Sequence, residues 1–508
     1  MLNLKNLFGI TDGTFFFTCI IFLLIYGYWM FDLNPHIDTE DFINTPYSVY
    51  GLQSGRPGKF FTSMIFRLRW YNPFMSNVFG FLLFCLCGVL LQYFLYRFGN
   101  IKGIISSIFV IITLCSPIMV EQLYFFSQIF EMAWAYLICI LAALCSYYAV
   151  LYRSKVACVG SVIALVWTFG TYQIYTILFV TLVVMGFLLL SQKWIFEEDA
   201  SVMVLLTWIA QLILIFAIGY GINMVINHIW FSEGMSYLNA MRYWGKESAS
   251  ECLTNIWTHI YSGFTGGRIH HTIFYGVFVL SAIFVSVGKI IKKKTSAGWF
   301  YLLVILSLQI CPFLMTVYLG NEPVLRSQIV YPLVLACNVV ISIKGLENRI
   351  TLKRACYILA VACLWMQLIP SMRLIYTDGI REQEDRSVMN EVSCRIHQVC
   401  GTTKPVAFVG EGKNNLNQAC LRGEMIGKSI FNIDAGANPH YFFSTVRICE
   451  NAKVMGFDMQ HASEEQVKMA RKEAIDMPVW PEEGSVKDCG EYITVKLSED
   501  KWPEELEP

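Results

Sequence analysis

Residues 34–41 read Asn-Pro-His-Ile-Asp-Thr-Glu-Asp, which puts three carboxylates, Asp38, Glu40 and Asp41, within four residues just past the first long apolar stretch. Like charges this close repel, and one of them takes up a proton more readily when they share a site. A general base needs that tuning when it stands beside a substrate hydroxyl that must lose its proton. The competing reading is a solvated loop in which Asp38 or Thr39 caps a short helix over 40–50. Further along the same loop comes Gly51-Leu-Gln-Ser-Gly55-Arg56-Pro57-Gly58-Lys59. Its glycines permit tight backbone, and Arg56 can grip a phosphate through two parallel hydrogen bonds. The segment 59–71 then spaces Phe60, Met64 and Leu68 as one helical face, with Arg67 and Arg69 toward the other. This predicts an amphipathic helix on the membrane surface or packed against protein.

These residues need a scaffold, and composition decides its class. Of 508 residues, 56% are hydrophobic and 15% charged, against about 25% charged in soluble domains. The net charge of zero hides two unlike parts. Residues 371–508 carry 16 basic and 23 acidic side chains, and residues 1–370 carry 22 basic and 15 acidic. The expectation is an α-helical polytopic membrane domain over 1–370 followed by a small soluble α+β domain over 371–508.

A helix crosses a bilayer in about 20 apolar residues. Eleven stretches approach that length, near 12–31, 76–97, 102–119, 128–152, 156–174, 175–192, 202–230, 272–291, 298–319, 327–344 and 354–370. The first has no small-residue cleavage site behind it and is expected to be retained as a span. Placing the N-terminus inside puts 14 of the 22 basic residues of this part into short inside loops, with Lys289–Lys294 the densest group. The tail then falls outside, together with the two long loops 32–75 and 231–271. Glu131 is the carboxylate expected within a span, facing a cavity or a partner helix. Trp230, Trp244 and Trp257, with Tyr237, Tyr243 and Tyr261, either stack on sugar rings or form an interfacial belt.

The acidic cluster after the first span and the Gly-Arg segment behind it resemble the Gtr type II family of bacterial glucosyltransferases. Val324-Leu-Arg326-Ser-Gln-Ile-Val-Tyr331-Pro332 at a late span and Tyr376-Thr-Asp378-Gly-Ile-Arg381-Glu-Gln-Glu-Asp385-Arg after the last one add to the likeness, which runs from about 10 to 390. The resemblance implies a GT-C architecture, to which the about 11 transmembrane helices counted above would belong, in the bacterial cytoplasmic (inner) membrane. It also implies an inverting transfer of a sugar, usually glucose, from a polyprenyl-phosphate donor to a cell-surface polysaccharide or glycolipid. An acidic residue of the first outside loop would take the acceptor's proton, with Asp38 first, Glu40 its rival and Asp41 in support. The phosphate that leaves carries negative charge, so fixed positive charge must meet it. Arg56, Arg268, His270, His271 and Arg326 all lie at outside ends or loops, and Gly266-Gly-Arg268-Ile-His270-His271 is a candidate phosphate clamp. An interfacial basic cluster, or a snorkelling anchor in the case of Arg326, is the alternative.

No cofactor is called for. Adjacent histidines point apart and no third ligand is usefully spaced, so a divalent metal at His270 and His271 is unsupported. No CxxC pairs with a second one or with a His pair, and most of the 17 cysteines lie in apolar runs as small hydrophobes. In the tail, Pro405–Gly410 predicts a buried strand, Glu491–Leu497 a half-buried one with Tyr492, Thr494 and Lys496 on one face, and Glu464–Ile475 a helix. A lipid-linked oligosaccharide flippase or transporter is the alternative in another class. It requires functional charges inside the spans, whereas here they cluster in outside loops. A polysaccharide polymerase shares the lipid-linked donor and the outside site. Nothing points to nucleic acid.

Overall fold

The computed structural model describes residues 12–32, 34, 36–44, 55–68, 73–198, 201–230, 241–293, 297–347, 349–400, 404–435 and 441–500. Their helices are α1 (Asp12–Met30), α2 (Thr39–Asn44), α3 (Pro57–Ile65), α4 (Pro73–Gly99), α5 (Ile104–Leu114), α6 (Pro117–Leu123), α7 (Ile129–Tyr152), α8 (Lys155–Phe169), α9 (Ile174–Phe196) and α10 (Val202–Trp230). Then come α11 (Ala249–Thr265), α12 (Phe274–Lys293), α13 (Gly298–Ile310), α14 (Leu314–Leu319), α15 (Val330–Gly345) and α16 (Ile350–Cys400). The tail follows as β1 (Val406–Val409), α17 (Phe442–Val454), α18 (Glu464–Ala474), β2 (Val486–Asp488) and β3 (Ile493–Lys496).

The described chain is mostly helical, and eight of its helices are long and apolar enough to cross a membrane. The expected span at 102–119 is instead a bent pair, α5 and α6, meeting at 53°. Pro117 causes the break, because it has no N–H to donate to the preceding turn. The carbonyls freed there are taken up by side chains: the Tyr26 hydroxyl donates to Leu114 O at 2.7 Å and Ser371 Oγ to Cys115 O at 2.8 Å. Such replacement is required where water is scarce. Two further apolar segments, α8 and α15, are only 15 and 16 residues long. Among the described residues, length and composition therefore mark eight helices as long enough to span, or nine with the bent pair, with α8 and α15 as shorter apolar helices.

By its contacts the chain forms two compact units. The first comprises Met1–Asp32, Tyr47–Leu123 and Gln128–Met372; the second comprises Leu33–Pro46, Tyr124–Ser127 and Arg373–Pro508. The part of the first loop that bears the acidic cluster thus belongs with the tail. In the first unit the helices are held by close packing and by polar pins. Gly345 sits where any Cβ would meet the Val285 side chain, and Ser146 Oγ lies 2.7 Å from Ser161 Oγ. Small residues and interhelical hydrogen bonds are the usual means of holding helices together in lipid. α3 ends at Ile65, shorter than the segment 59–71 suggested, and Arg67 lies beyond it at φ 55°. Its buried face is Gly58, Lys59, Thr62 and Ser63, while Phe61 and Met64 are exposed. The helix therefore packs through its small and polar residues, and Arg69 lies outside the described residues.

In the second unit the sheet order is β1-β3-β2, with β1 parallel and β2 antiparallel to β3. Val406 and Phe408 face one hydrophobic core, shared with Met389 and Val392 of α16; Ala407 and Val409 face another, shared with Val467 and Ala470 of α18. A strand between two cores is buried on both faces, which corrects the half-buried reading of β3, where Thr494 and Lys496 are also buried. Lys496 meets its polar needs by donating to Met477 O at 2.9 Å and pairing with Glu499. The helix expected near 464–475 is present, opened by a capping box in which Ser463 and Gln466 bond reciprocally.

Candidate functional site: the acidic loop and its cationic partners

In the second unit, residues 36–44 make a tight turn into α2. Thr39 N donates to His36 O at 3.0 Å, His36 N donates to Thr39 Oγ1 at 3.1 Å, and Asp38 between them takes a left-handed conformation at φ 61°. His36 stacks on Phe126, with ring centroids 3.6 Å apart. Its Nδ1 lies 2.9 Å from Asn34 O and its Nε2 2.7 Å from Asp378 Oδ2, so both ring nitrogens face oxygen acceptors. Asp378, Arg381 and Asp385 recur at i, i+3 and i+7 along α16, one face of the helix. Arg381 donates to Asp378 Oδ1 at 2.8 Å and to Asp385 Oδ2 at 3.3 Å. Asp385 in turn accepts from Ser429 Oγ at 2.6 Å and Ile430 N at 3.1 Å. All four side chains are buried, and Arg381 stands between the two carboxylates. Burial of that kind is tolerable only when every charge is paired.

The carboxylates meet one guanidinium. Arg447 of α17 places Nη1 3.0 Å from Asp38 Oδ1 and 2.5 Å from Glu40 Oε1, and Nε 2.6 Å from Asp434 Oδ2. Glu40 is deeply buried, whereas the Asp38 side chain keeps 19% of its exposure. Asp38 Oδ2 takes no hydrogen bond among the described residues. Asp41 lies in α2, and its side chain falls outside the described residues.

The basic candidates all lie in the first unit. Arg56 precedes α3, its guanidinium 4.9 Å from the Tyr172 ring centroid. The close approach of Gly58, whose N donates to Gly170 O at 2.9 Å, sets the start of that helix. Arg56 Nε is buried with no hydrogen-bond partner among the described residues, so a donor is in hand for an anion. Gly266 closes α11 in the left-handed region at φ 74°, and a Cβ there would lie 2.6 Å from Ile273 N. That turn carries Arg268, His270 and His271. Arg268 is half exposed and pairs with Glu322 at 2.5 Å. His270 is buried, its Nε2 3.6 Å from Glu121 Oε1 and without a hydrogen bond among the described residues. Arg326 is half-buried in the 3₁₀ turn Leu325–Ser327.

His271 departs from the role of a phosphate cation. Its Nδ1 lies 3.1 Å from Ser262 Oγ and its Nε2 3.0 Å from Gln328 Oε1, and burial pushes its pKa down to about 4. A neutral ring with both nitrogens engaged has no charge to give a phosphate, so His271 is a support for its neighbours. Gln328 accepts from His259 as well, at 3.1 Å, and donates to Glu322 and Pro323 O. Glu131 is buried in the first turn of α7, and Glu121 on α6 is a second buried carboxylate of this unit. Trp257 and Tyr261 are exposed on α11, while Trp244 donates to Val317 O; Tyr237 lies outside the described residues.

The family model of the glucosyl transferase GtrII family matches residues 27–343. The chain belongs to the GtrII glucosyltransferase family. No curated protein and no solved structure matches it. The GtrII match takes in Asp38, Glu40 and Asp41 and all five basic candidates, and it stops short of the 390 that the resemblance suggested. Asp378, Arg381, Asp385 and Arg447 lie beyond it. The spacing of the first three on one helical face was a readable signal, as was His36 beside the acidic cluster. Nothing near Arg447 in the sequence links it to a loop some 400 residues earlier.

Proposed function

We propose that this GtrII protein transfers glucose from a polyprenyl-phosphate donor to a cell-surface glycan or glycolipid, on the extracytoplasmic face and with inversion at the anomeric carbon. The acceptor oxygen bonds to the anomeric carbon as the bond from that carbon to the phosphate oxygen breaks. Polyprenyl phosphate departs with the electron pair, and the hydroxyl proton passes to a carboxylate. Asp38 is the base in this reading, because its second oxygen takes no hydrogen bond among the described residues while Glu40 is buried. Arg56, Arg268, His270 and Arg326 supply donors and positive charge for the leaving phosphate, the kind of fixed electrostatics such a departure needs. The excess of lysine and arginine in the short inside loops supports an N-terminus in the cytoplasm and a tail outside. GT-C architecture follows from the family resemblance.

The observation that carries the reading is the GtrII match across the acidic loop and the basic candidates together. The test is transfer by purified protein in lipid, from polyprenyl-phosphate glucose to cell-envelope glycan, comparing wild type with Asp38→Asn and Glu40→Gln. The expected result is transfer by wild type and its loss in folded, donor-binding D38N. Full activity in both amide variants removes the base assignment, and no transfer from any lipid-linked sugar removes the enzyme reading.

A further inference from the structure

We propose that Arg447 of the C-terminal unit is a positioning residue for the base, so that the tail is part of the transfer machinery and more than a platform for the acceptor. The inference rests on the reading of Asp38 as the base. A single guanidinium holds three carboxylates: Nη1 spans Asp38 and Glu40 at 3.0 and 2.5 Å, and Nε is tied to Asp434 at 2.6 Å. Because guanidinium is planar, fixing Nε on Asp434 fixes the direction in which Nη1 points. Asp434 follows closely on Ser429 and Ile430, whose donors grip Asp385 of α16. The turn that carries Asp38 is therefore held from two sides, at His36 by Asp378 and at Asp38 and Glu40 by Arg447.

The arrangement uses one oxygen of Asp38 and leaves the other. Arg447 Nη1 bonds Oδ1, which orients the carboxylate and leaves Oδ2 to accept a proton. Glu40 has only 2% of its side chain exposed, so without Arg447 a nearly buried carboxylate would lose the guanidinium that pairs with it, beside a second carboxylate. Repulsion between the pair would then turn Asp38 away from the acceptor. A displacement of about 1 Å in such a group costs on the order of 10²-fold in rate.

The experiment compares kcat and donor KM for wild type, Arg447→Ala, Arg447→Lys and D38N, using polyprenyl-phosphate glucose with full-length protein in lipid. In R447A, kcat is expected to fall about 10²-fold with donor KM changed less than about threefold, since Arg447 touches no donor in this reading. Guanidinium ion added at millimolar concentration restores part of that kcat, and R447K retains an intermediate value. Wild-type kcat in R447A or R447K, with D38N inactive, overturns the inference and leaves the base assignment standing. If R447A does not fold, R447K alone decides. Full activity in D38N removes both.

Discussion

His36 Nε2 lies 2.7 Å from Asp378 Oδ2, a buried hydrogen bond across 342 residues of sequence that ties the first loop to the last long helix. Each partner has 1% of its side chain exposed, and Asp378 also holds Arg381. The acidic loop is thus positioned by a buried polar contact that it and α16 complete together. Its carboxylates stand where they do because the loop folds with the tail.

Removing Asp378 tests that pin. Asp378→Ala leaves His36 and Arg381 buried without their shared partner, a loss of about 3–5 kcal/mol for a broken buried pair. Thermal unfolding in detergent should show a marked drop, together with faster proteolysis at the first loop. Asp378→Asn, which can still accept from Arg381, should lose less. An unchanged midpoint for the alanine variant would mean that the chain of buried polar contacts from His36 to Asp385 adds nothing to the fold.

His271 makes stability depend on pH in a stated direction. Burial lowers its pKa from 6.5 to about 4, against a raising influence from Gln328. The neutral ring is the folded form, so the contribution is complete above pH 6.5 and is lost as pH falls toward 4. The full shift corresponds to about 3 kcal/mol. The measurement is the unfolding midpoint between pH 7.5 and 4.5 in wild type and in His271→Asn. The variant should be less stable at pH 7.5, and the gap should narrow as the pH falls. Parallel curves would count against the buried neutral histidine.

Gly58 offers a packing test with an internal control. A Cβ at Gly58 would lie 2.1 Å from Trp167 O and 2.7 Å from Thr171 N, both backbone atoms of the neighbouring segment. Gly58→Ala should therefore push α3 off α8, at about 1–3 kcal/mol for overpacking. Because Arg56 sits immediately before α3, donor KM should rise as well. Gly160 on α8 has nothing within 4 Å of its Cβ position, and Gly160→Ala should leave both quantities as they are.

Most helices were legible because apolar length is a strong signal, and each expected span has a helix or helix pair under it. The break at Pro117 and the short α8 and α15 were not read as such, since an apolar run alone does not reveal where a helix stops inside it. In the tail, β1 and α18 were readable from a buried run and a cap. β2, with three residues, and α17, with little amphipathic pattern, were not. Among the site residues, type and local spacing pointed to Asp38, Glu40 and Arg56. They could not show that Arg447 would cover the carboxylates, or that Gln328 would take both His259 and His271. Those are long-range pairings, and a single sequence carries no local trace of them.

Arg268 separates a structural from a functional role most cleanly. Its side chain is 49% exposed and its partner Glu322 is 17% exposed, so the pair should add no more than about 1 kcal/mol to stability, and less at high salt. Arg268→Ala should accordingly melt close to wild type. If Arg268 meets the leaving phosphate, the same variant should lose transfer by about tenfold or more, the scale on which donors to a developing charge act. Glu322→Gln keeps the arginine charge while removing its tether, and should preserve transfer while weakening the hydrogen bond from Gln328 Nε2 to Glu322 Oε1. Measuring melting and transfer side by side decides the matter: a variant that melts early and transfers poorly marks Arg268 as a brace, whereas one that melts normally and transfers poorly marks it as a ligand to the phosphate.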